Sequence, residues 1–371
     1  MAGRAGARIP VVIVAGFLGA GKTTLLNHLL TNRAGVRIGV VVNDFGSIEI
    51  DAMTVAGQVD SMISLGNGCL CCAVDTSTMD ELLDRLARPS AGIDVIVIEA
   101  SGLAEPRDMI RLVLASENPR VEYGGLVEVV DAAEFESTRS RHPELGTRLS
   151  LADLIVVNKA DRMPVEARPA LLATVRASSP GTPVITTSHG RVDPELLFEP
   201  PDRPRPTERF GQLSFDQLTF EDGDAGRSGA CEAGPDSGRR EGGQHDDGCA
   251  DTAHLHHAYE TVSFTSDTPL HPRRLMAFLD DRPPGLYRMK GFVYFGVTGY
   301  RQKFGLHTVG AFLRFRRSRW SAGEDRTTRL VLIGSGIDAE AVRAALAACV
   351  EPRSAEVTEQ DMLCVLKFVE S

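Results

Sequence analysis

The feature that most constrains this chain is Gly16-Phe-Leu-Gly-Ala-Gly21-Lys22-Thr23, a GxxxxGK[ST] run between an apolar β-rich segment, Val11 to Val14, and a leucine-rich helical pattern from Thr23 to Leu30. Strand, glycine turn and helix in that order make a phosphate-binding loop. The glycines let successive backbone N–H groups turn inward around an anion, and the helix N-terminus adds partial positive charge. Lys22 then reaches the β and γ phosphates and the Thr23 hydroxyl ligates Mg²⁺, with Gly16, Gly19, Ala20, Gly21 and Thr24 completing the cradle. An ordinary glycine turn into a helix would not need the lysine.

Further apolar runs repeat the strand signal at Ile38 to Val42, Val95 to Ile98, Leu126 to Val130, Leu154 to Val157 and Val184-Ile185. Amphipathic stretches lie between them at Met79 to Leu86, Pro106 to Leu114 and Val165 to Val175. This alternation predicts an α/β fold, a P-loop NTPase domain with a mostly parallel, doubly wound sheet, over residues 10–199 behind a flexible stretch 1–9. Prolines dominate 200–206, and a connecting segment with a β-like piece, Gln212 to Phe220, closes at 220. Residues 221–257 are glycine-rich and nearly free of aliphatic side chains, with nine carboxylates against three arginines, a net of −6. Such a tract cannot bury enough apolar surface to offset its ordering entropy and reads as a disordered insert. A small α+β domain is expected over 258–371, with strands at Thr261 to Phe264, Gly291 to Val297 and Leu330 to Ile333 and helices at Pro272 to Asp280 and Ala339 to Cys349.

Two segments narrow nucleotide to guanine nucleotide. Asn158-Lys159-Ala160-Asp161 follows a strand, where the Asp161 carboxylate can accept from the ring N–H and exocyclic amine of guanine while the Lys159 stem covers the base. Adenine offers no such donor pair and would leave the carboxylate unpaired. Val95 to Glu99 ends a buried strand on a carboxylate; Glu99 holds Mg²⁺ through water or positions the attacking water, unless it merely caps the strand end.

The net charge of −10 argues against a nucleic-acid binder, which needs a dense basic face. Seven cysteines, three of them crowded at 69, 71 and 72, do not resemble a disulfide framework, and reduced thiols in a cytoplasm are the simpler expectation. Arg4, Arg8 and the apolar run to Ala20 imitate a signal peptide, but the run is too short to span a bilayer and its glycines and Lys22 belong to the phosphate loop, so no membrane partner is expected.

The P-loop GFLGAGKTTLLNHLL, the Glu99 motif, NKAD and above all Gly66-Asn-Gly-Cys69-Leu-Cys71-Cys72 together resemble the CobW-type GTPases, relatives of the accessory GTPases that load nickel into urease and hydrogenase. Tyr287-Arg-Met-Lys290-Gly291-Phe is similar to the R-x-KG strand of that family's C-terminal domain, and Trp320 and Leu330 to Gly334 follow in order. The resemblance implies GTP-powered metal insertion or zinc trafficking, with CxCC as the metal site. Two positions depart from the family pattern: Asn43-Asp44 replaces Asn-Glu, one methylene shorter, and Glu99-Ala100-Ser101-Gly102 replaces ESSG.

Physically, Cys69-x-Cys71-Cys72 sets three thiols within four residues after glycines that let the backbone curl, and thiolates select zinc, copper(I) or cobalt over magnesium. Cys71 and Cys72 are expected to bind together, joined by Asp44, Glu49 or a histidine. Asp44 also stands as a candidate at the catalytic Mg²⁺. In the acidic insert, His254, His256 and His257, with His245 and Cys249, form a second candidate metal cluster or else a solvated acidic loop. His28, between leucines on the P-loop helix, reads as packing or solvated. The expected partners are GTP and GDP, Mg²⁺, Zn²⁺ or Co²⁺, and a client apo-metalloprotein. A cobalt-handling accessory protein of cobalamin biosynthesis and a regulatory GTPase with a structural zinc share these motifs; a nucleotide kinase lacks a second acceptor motif.

Overall fold

The computed structural model describes residues 8–31, 36–42, 61–64, 76–102, 105–198, 259–321, 323–351 and 357–369. Asp44, Glu49, Cys69, Cys71, Cys72, the 212–220 piece and the 221–257 tract with His254, His256 and His257 lie outside the described residues.

The first half builds seven parallel strands: β1 (Ile9–Gly16), β2 (Ile38–Val42), β3 (Ser61–Ser64), β4 (Val95–Glu99), β5 (Val121–Asp131), β6 (Leu154–Asn158) and β7 (Val184–Thr186), in the order β3-β2-β4-β1-β5-β6-β7. The expected doubly wound parallel sheet is present. Its strands read as unbroken apolar runs because both faces are covered. Alternate residues of β1 go to opposite layers: Val12 and Val14 pack with Leu25, Leu26, Leu29 and Leu30 of α1 (Lys22–Thr31), while Val11, Ile13 and Ala15 pack under Met79 and Leu83 of α2 (Thr76–Leu86) and Met109 of α3 (Pro106–Leu114). A third cluster joins Val130, Ile155 and Val157 to α4 (Phe135–Arg141), α5 (Leu145–Leu151) and α6 (Arg168–Ser178). The single amphipathic stretch expected over 165–175 divides: Val165–Ala167 is a 3₁₀ turn and the α-helix starts at Arg168, where Pro169 occupies a first-turn position that needs no N–H.

After the short helix α7 (Pro194–Leu197), the second half forms an antiparallel five-stranded sheet, β11-β10-β9-β12-β8, from β8 (Glu260–Ser266), β9 (Leu286–Val293), β10 (Lys303–Val309), β11 (Phe312–Ser318) and β12 (Thr328–Gly334). Helices α8 (Pro272–Asp280), α9 (Ala339–Ala348) and α10 (Leu363–Leu366) complete it. The sheet's inner face buries Met289, Val293, Phe304, Leu306, Phe315, Leu330 and Leu332. Among the described residues no helix is long and apolar enough to cross a membrane.

The opposite face of this sheet meets the parallel sheet. Tyr287 and Val309 enter the α1-side core, and the Arg288 guanidinium donates to Leu197 O at 3.0 Å. At the centre of the seam the buried Asp153 carboxylate accepts from Tyr123 Oη at 2.6 Å and Leu126 N at 2.9 Å, and His307 Nε2 lies 3.2 Å from Tyr123 O. Burial pushes the Asp153 carboxyl up to about 6, against hydrogen bonds that favour its anion, and burial pushes His307 down to about 3.

These two groups act on stability in opposite directions. Folded Asp153 holds its proton more tightly than the unfolded chain, so its contribution is full below pH 3.8 and is lost as pH rises to about 6. Folded His307 holds its proton less tightly, so its contribution is full above pH 6.5 and is lost as pH falls toward 3. Denaturant titrations between pH 4 and 6 should therefore show Asp153→Asn gaining relative to wild type as pH rises, and His307→Gln gaining as pH falls. Parallel pH profiles for the three proteins would contradict the assignment.

Candidate functional site

The P-loop opens at the end of β1, the central strand of the parallel sheet, and delivers Lys22 to the first turn of α1. Two of its glycines are steric necessities. Gly16 has φ 148° and a Cβ there would lie 2.3 Å from Val129 O, while Gly21 has φ 101° and its Cβ would lie 2.2 Å from Asn158 Nδ2. Lys22 is 7% exposed, and its ammonium donates to Gly16 O at 3.0 Å and Phe17 O at 3.2 Å, across the mouth of the loop. Gly19 and Ala20 form the turn between, and Thr24 faces solvent on the first turn of α1.

Glu99 ends β4, the neighbour of β1, and its Oε1 accepts from Thr23 Oγ1 at 2.7 Å although the two residues are 76 apart in sequence. A buried carboxylate beside a hydroxyl is a hard, all-oxygen donor pair of the kind Mg²⁺ takes, so these residues fit that ion.

On the other side, Asn158 at the end of β6 is 1% exposed and joins two loops: Nδ2 donates to Ala20 O at 3.0 Å and Oδ1 accepts from Gly190 N at 2.9 Å. Lys159 follows in the left-handed conformation, φ 59°, and its ammonium meets Asp131 Oδ2 at 2.7 Å. Asp161 is exposed, and a hydrogen bond from Ser188 holds its carboxyl below the usual range. The loop at 187–190 is fastened further by Ala160 N donating to Thr187 O at 3.1 Å. A cavity of about 310 Å³ lies between the P-loop, the end of β5, Thr138 and Arg141 of α4, and Lys159; Thr23 and Glu99 do not line it.

Residues 10–186 match the CobW/HypB/UreG nucleotide-binding domain and residues 259–350 the cobalamin synthesis protein CobW C-terminal domain. The zinc chaperone CobW of Sinorhizobium sp is 31% identical over 378 residues, covering 92% of this chain and 98% of that one. The chain belongs to the CobW family of P-loop GTPases. The zinc chaperone CobW of Pseudomonas aeruginosa is 30% identical over 394 residues, spanning 91% of this chain and 90% of that protein. The crystal structure of the Zn(II)-bound YjiA GTPase from E. coli aligns with a TM-score of 0.41 and 22% identity, covering 93% of this chain and all of that one.

In this CobW-family chain the structure gathers the P-loop, Thr23, Glu99 and the NKAD residues around one end of the sheet. Among the described residues no cluster of three or more His, Cys, Asp or Glu could hold a metal, and the thiol and histidine candidates all lie outside them. His28 is half-buried with Nε2 3.1 Å from Val192 O, and burial pushes its basicity down. Sequence reasoning missed Asp131, whose place after a long strand was its only signal, and the Thr187 to Gly190 loop, whose glycine fits because a Cβ would meet Leu25 N at 2.6 Å. Replacing Asn158 by Ala leaves Ala20 O and Gly190 N without this partner, a loss of about 2–4 kcal/mol for two buried groups. Chemical denaturation should show that loss, together with at least a tenfold weaker GTP affinity by fluorescent-analogue titration.

Proposed function

We propose that the chain is a GTP-hydrolysing metallochaperone that takes zinc through Cys69, Cys71 and Cys72 and delivers it to a client apo-metalloprotein. The observation that carries the GTP half is the Thr23–Glu99 contact at 2.7 Å, which sets a magnesium-type donor pair directly beside the phosphate loop. The zinc half is supported by the thiol triplet and by relatives named zinc chaperones. A bound Mg²⁺ would neutralise the charge that develops on the transferred phosphoryl group. Lys22 exchanges its two carbonyl partners for phosphate oxygens, Thr23 presents its hydroxyl, and Glu99 orients the water or the ion's hydration shell. Asp161 reads the two donors of guanine while the Lys159 stem, held out by Asp131, covers the ring. Residues 10–199 form the nucleotide domain, residues 258–371 the client-facing domain, and the protein works in the cytoplasm.

The thiols lie in sequence between Asp44 and Glu99, two positions that respond to the γ-phosphate and its ion, so metal and nucleotide binding are coupled. Coupling is reciprocal: if GTP tightens zinc tenfold, about 1.4 kcal/mol, zinc tightens GTP equally. Zinc affinity measured with a non-hydrolysable GTP analogue, with GDP and without nucleotide should be highest with the analogue and should collapse in Cys71→Ser. Equal affinity in all three wild-type states would leave a regulatory GTPase with a structural zinc, and stronger retention of cobalt than of zinc would favour the cobalt-handling reading.

Lys22→Ala should abolish phosphate-dependent binding, and Asp161→Asn should erase most of the GTP-over-ATP preference. Competition binding measures both, and an unchanged preference in Asp161→Asn would place base recognition elsewhere.

A further inference from the structure

Glu128 and Arg148 form a fully buried ion pair that none of the nucleotide motifs requires. Arg148 Nε donates to Glu128 Oε1 at 3.1 Å, with side chains 4% and 0% exposed. Glu128 sits on β5 opposite Ala15, the residue before the P-loop begins, and between Leu126 and Val130, which belong to two different core clusters. Arg148 comes from α5. Its guanidinium carbon lies 4.7 Å above the ring of Phe17, the P-loop residue whose carbonyl receives Lys22, and His142 stacks beside the same ring at 4.9 Å. Another guanidinium nitrogen is 3.4 Å from Gly102 O, three residues beyond Glu99. Gly102 itself abuts the P-loop, since a Cβ on it would come 2.7 Å from Leu18 N. One planar cation therefore touches both the loop that follows Glu99 and the loop that carries Lys22 and Thr23.

A buried pair of this kind is weak evidence for stability, because desolvation offsets the attraction and apolar replacements of similar volume are commonly neutral or better. What the pair supplies is geometry: Glu128 fixes the guanidinium, and the fork and flat face of an arginine reach two targets at once, which a lysine's single ammonium cannot do. We propose that Arg148, anchored by Glu128, is a positioning residue that holds the Gly102 turn against Phe17 and thereby sets the Thr23–Glu99 contact for GTP hydrolysis. This rests on the GTPase reading above.

Removing one partner alone leaves a buried charge and destabilises the fold, so the test is the paired variant Glu128→Leu/Arg148→Met, with Arg148→Lys, which retains the cation that Glu128 needs, as the second. Both should melt close to wild type or above and bind GTP within threefold of it. Both should hydrolyse GTP at least tenfold more slowly, a loss in kcat without a matching rise in KM. A folded paired variant with kcat within twofold of wild type overturns the proposal, as does an Arg148→Lys variant with unchanged kcat. Equal losses of GTP affinity and kcat also overturn it, because they mark general damage to the loop. Wild-type protein that binds GTP without hydrolysing it would sink the GTPase reading itself, whereas active wild type with active variants sinks only the role of Arg148.

Discussion

Everything at the nucleotide end of this protein hangs on how four strand ends are held together. The P-loop leaves β1 and Glu99 ends β4, while the loops at 158–161 and 187–190 leave β6 and β7, and glycine-rich turns have little rigidity of their own. The carboxamide of Asn158 ties the P-loop to the 187–190 loop, because an amide can donate to one loop and accept from another, as it does with Ala20 O and Gly190 N. A carboxylate at this position could not donate to Ala20 O, and a lysine could not accept from Gly190 N. The Thr23–Glu99 hydrogen bond supplies the corresponding tie between the P-loop helix and the end of β4.

The parts of this arrangement legible in the sequence share a physical origin. Strands buried on both faces must be apolar throughout, so β1, β2, β4 and β6 were visible as uninterrupted runs, and α3 was visible at its observed bounds from its apolar spacing and leading proline. Where burial is shared with polar groups the signal fails. β10 and β11 went unpredicted: Phe304, Leu306 and Phe315 face the core and alternate with Gly305, His307, Arg314 and Arg316, a half-buried pattern that a search for unbroken apolar runs passes over. Buried His307 faces the seam, where it meets a backbone carbonyl in place of water. Helix α5 was missed because Leu145 to Leu151 is short and carries Arg148, and an arginine in a short helix reads as solvated when in fact it is among the most buried cations of the described residues.

The candidate site divides along the same line. Residues that need a particular backbone, such as Gly16, Gly21 and the Lys159 turn, announce themselves through fixed spacing, because only a few residue types tolerate those conformations. Residues that act through side-chain reach across the fold, Asp131 to Lys159 and Arg148 to Gly102, have no spacing to read, since their partners are fixed only once the sheet order is set. The cysteine triplet, read from its spacing as a soft-ligand site, lies outside the described residues, and its metal role is a proposal.

The two strands that end at Asp131 and Asn158 also begin at the seam with the C-terminal sheet. β5 starts beside Tyr123, whose carbonyl meets His307, and ends at Asp131; β6 follows directly on Asp153 and ends at Asn158, with Asp131 and Asn158 paired in register. Any change in how the C-terminal sheet seats on Tyr123 and Asp153 therefore acts on the same two strands that hold Lys159 and the P-loop tie. Four residues separate Asp153 from Asn158 along β6, whereas β5 steps its register beside Gly125 soon after Tyr123, so β6 is the straighter link between the seam and the nucleotide end. The seam would couple a client bound on the C-terminal sheet to nucleotide only if it has two seatings of similar free energy. Its buried polar centre argues for one seating, because the hydrogen bonds on Asp153 and His307 are directional and fix where the two sheets meet.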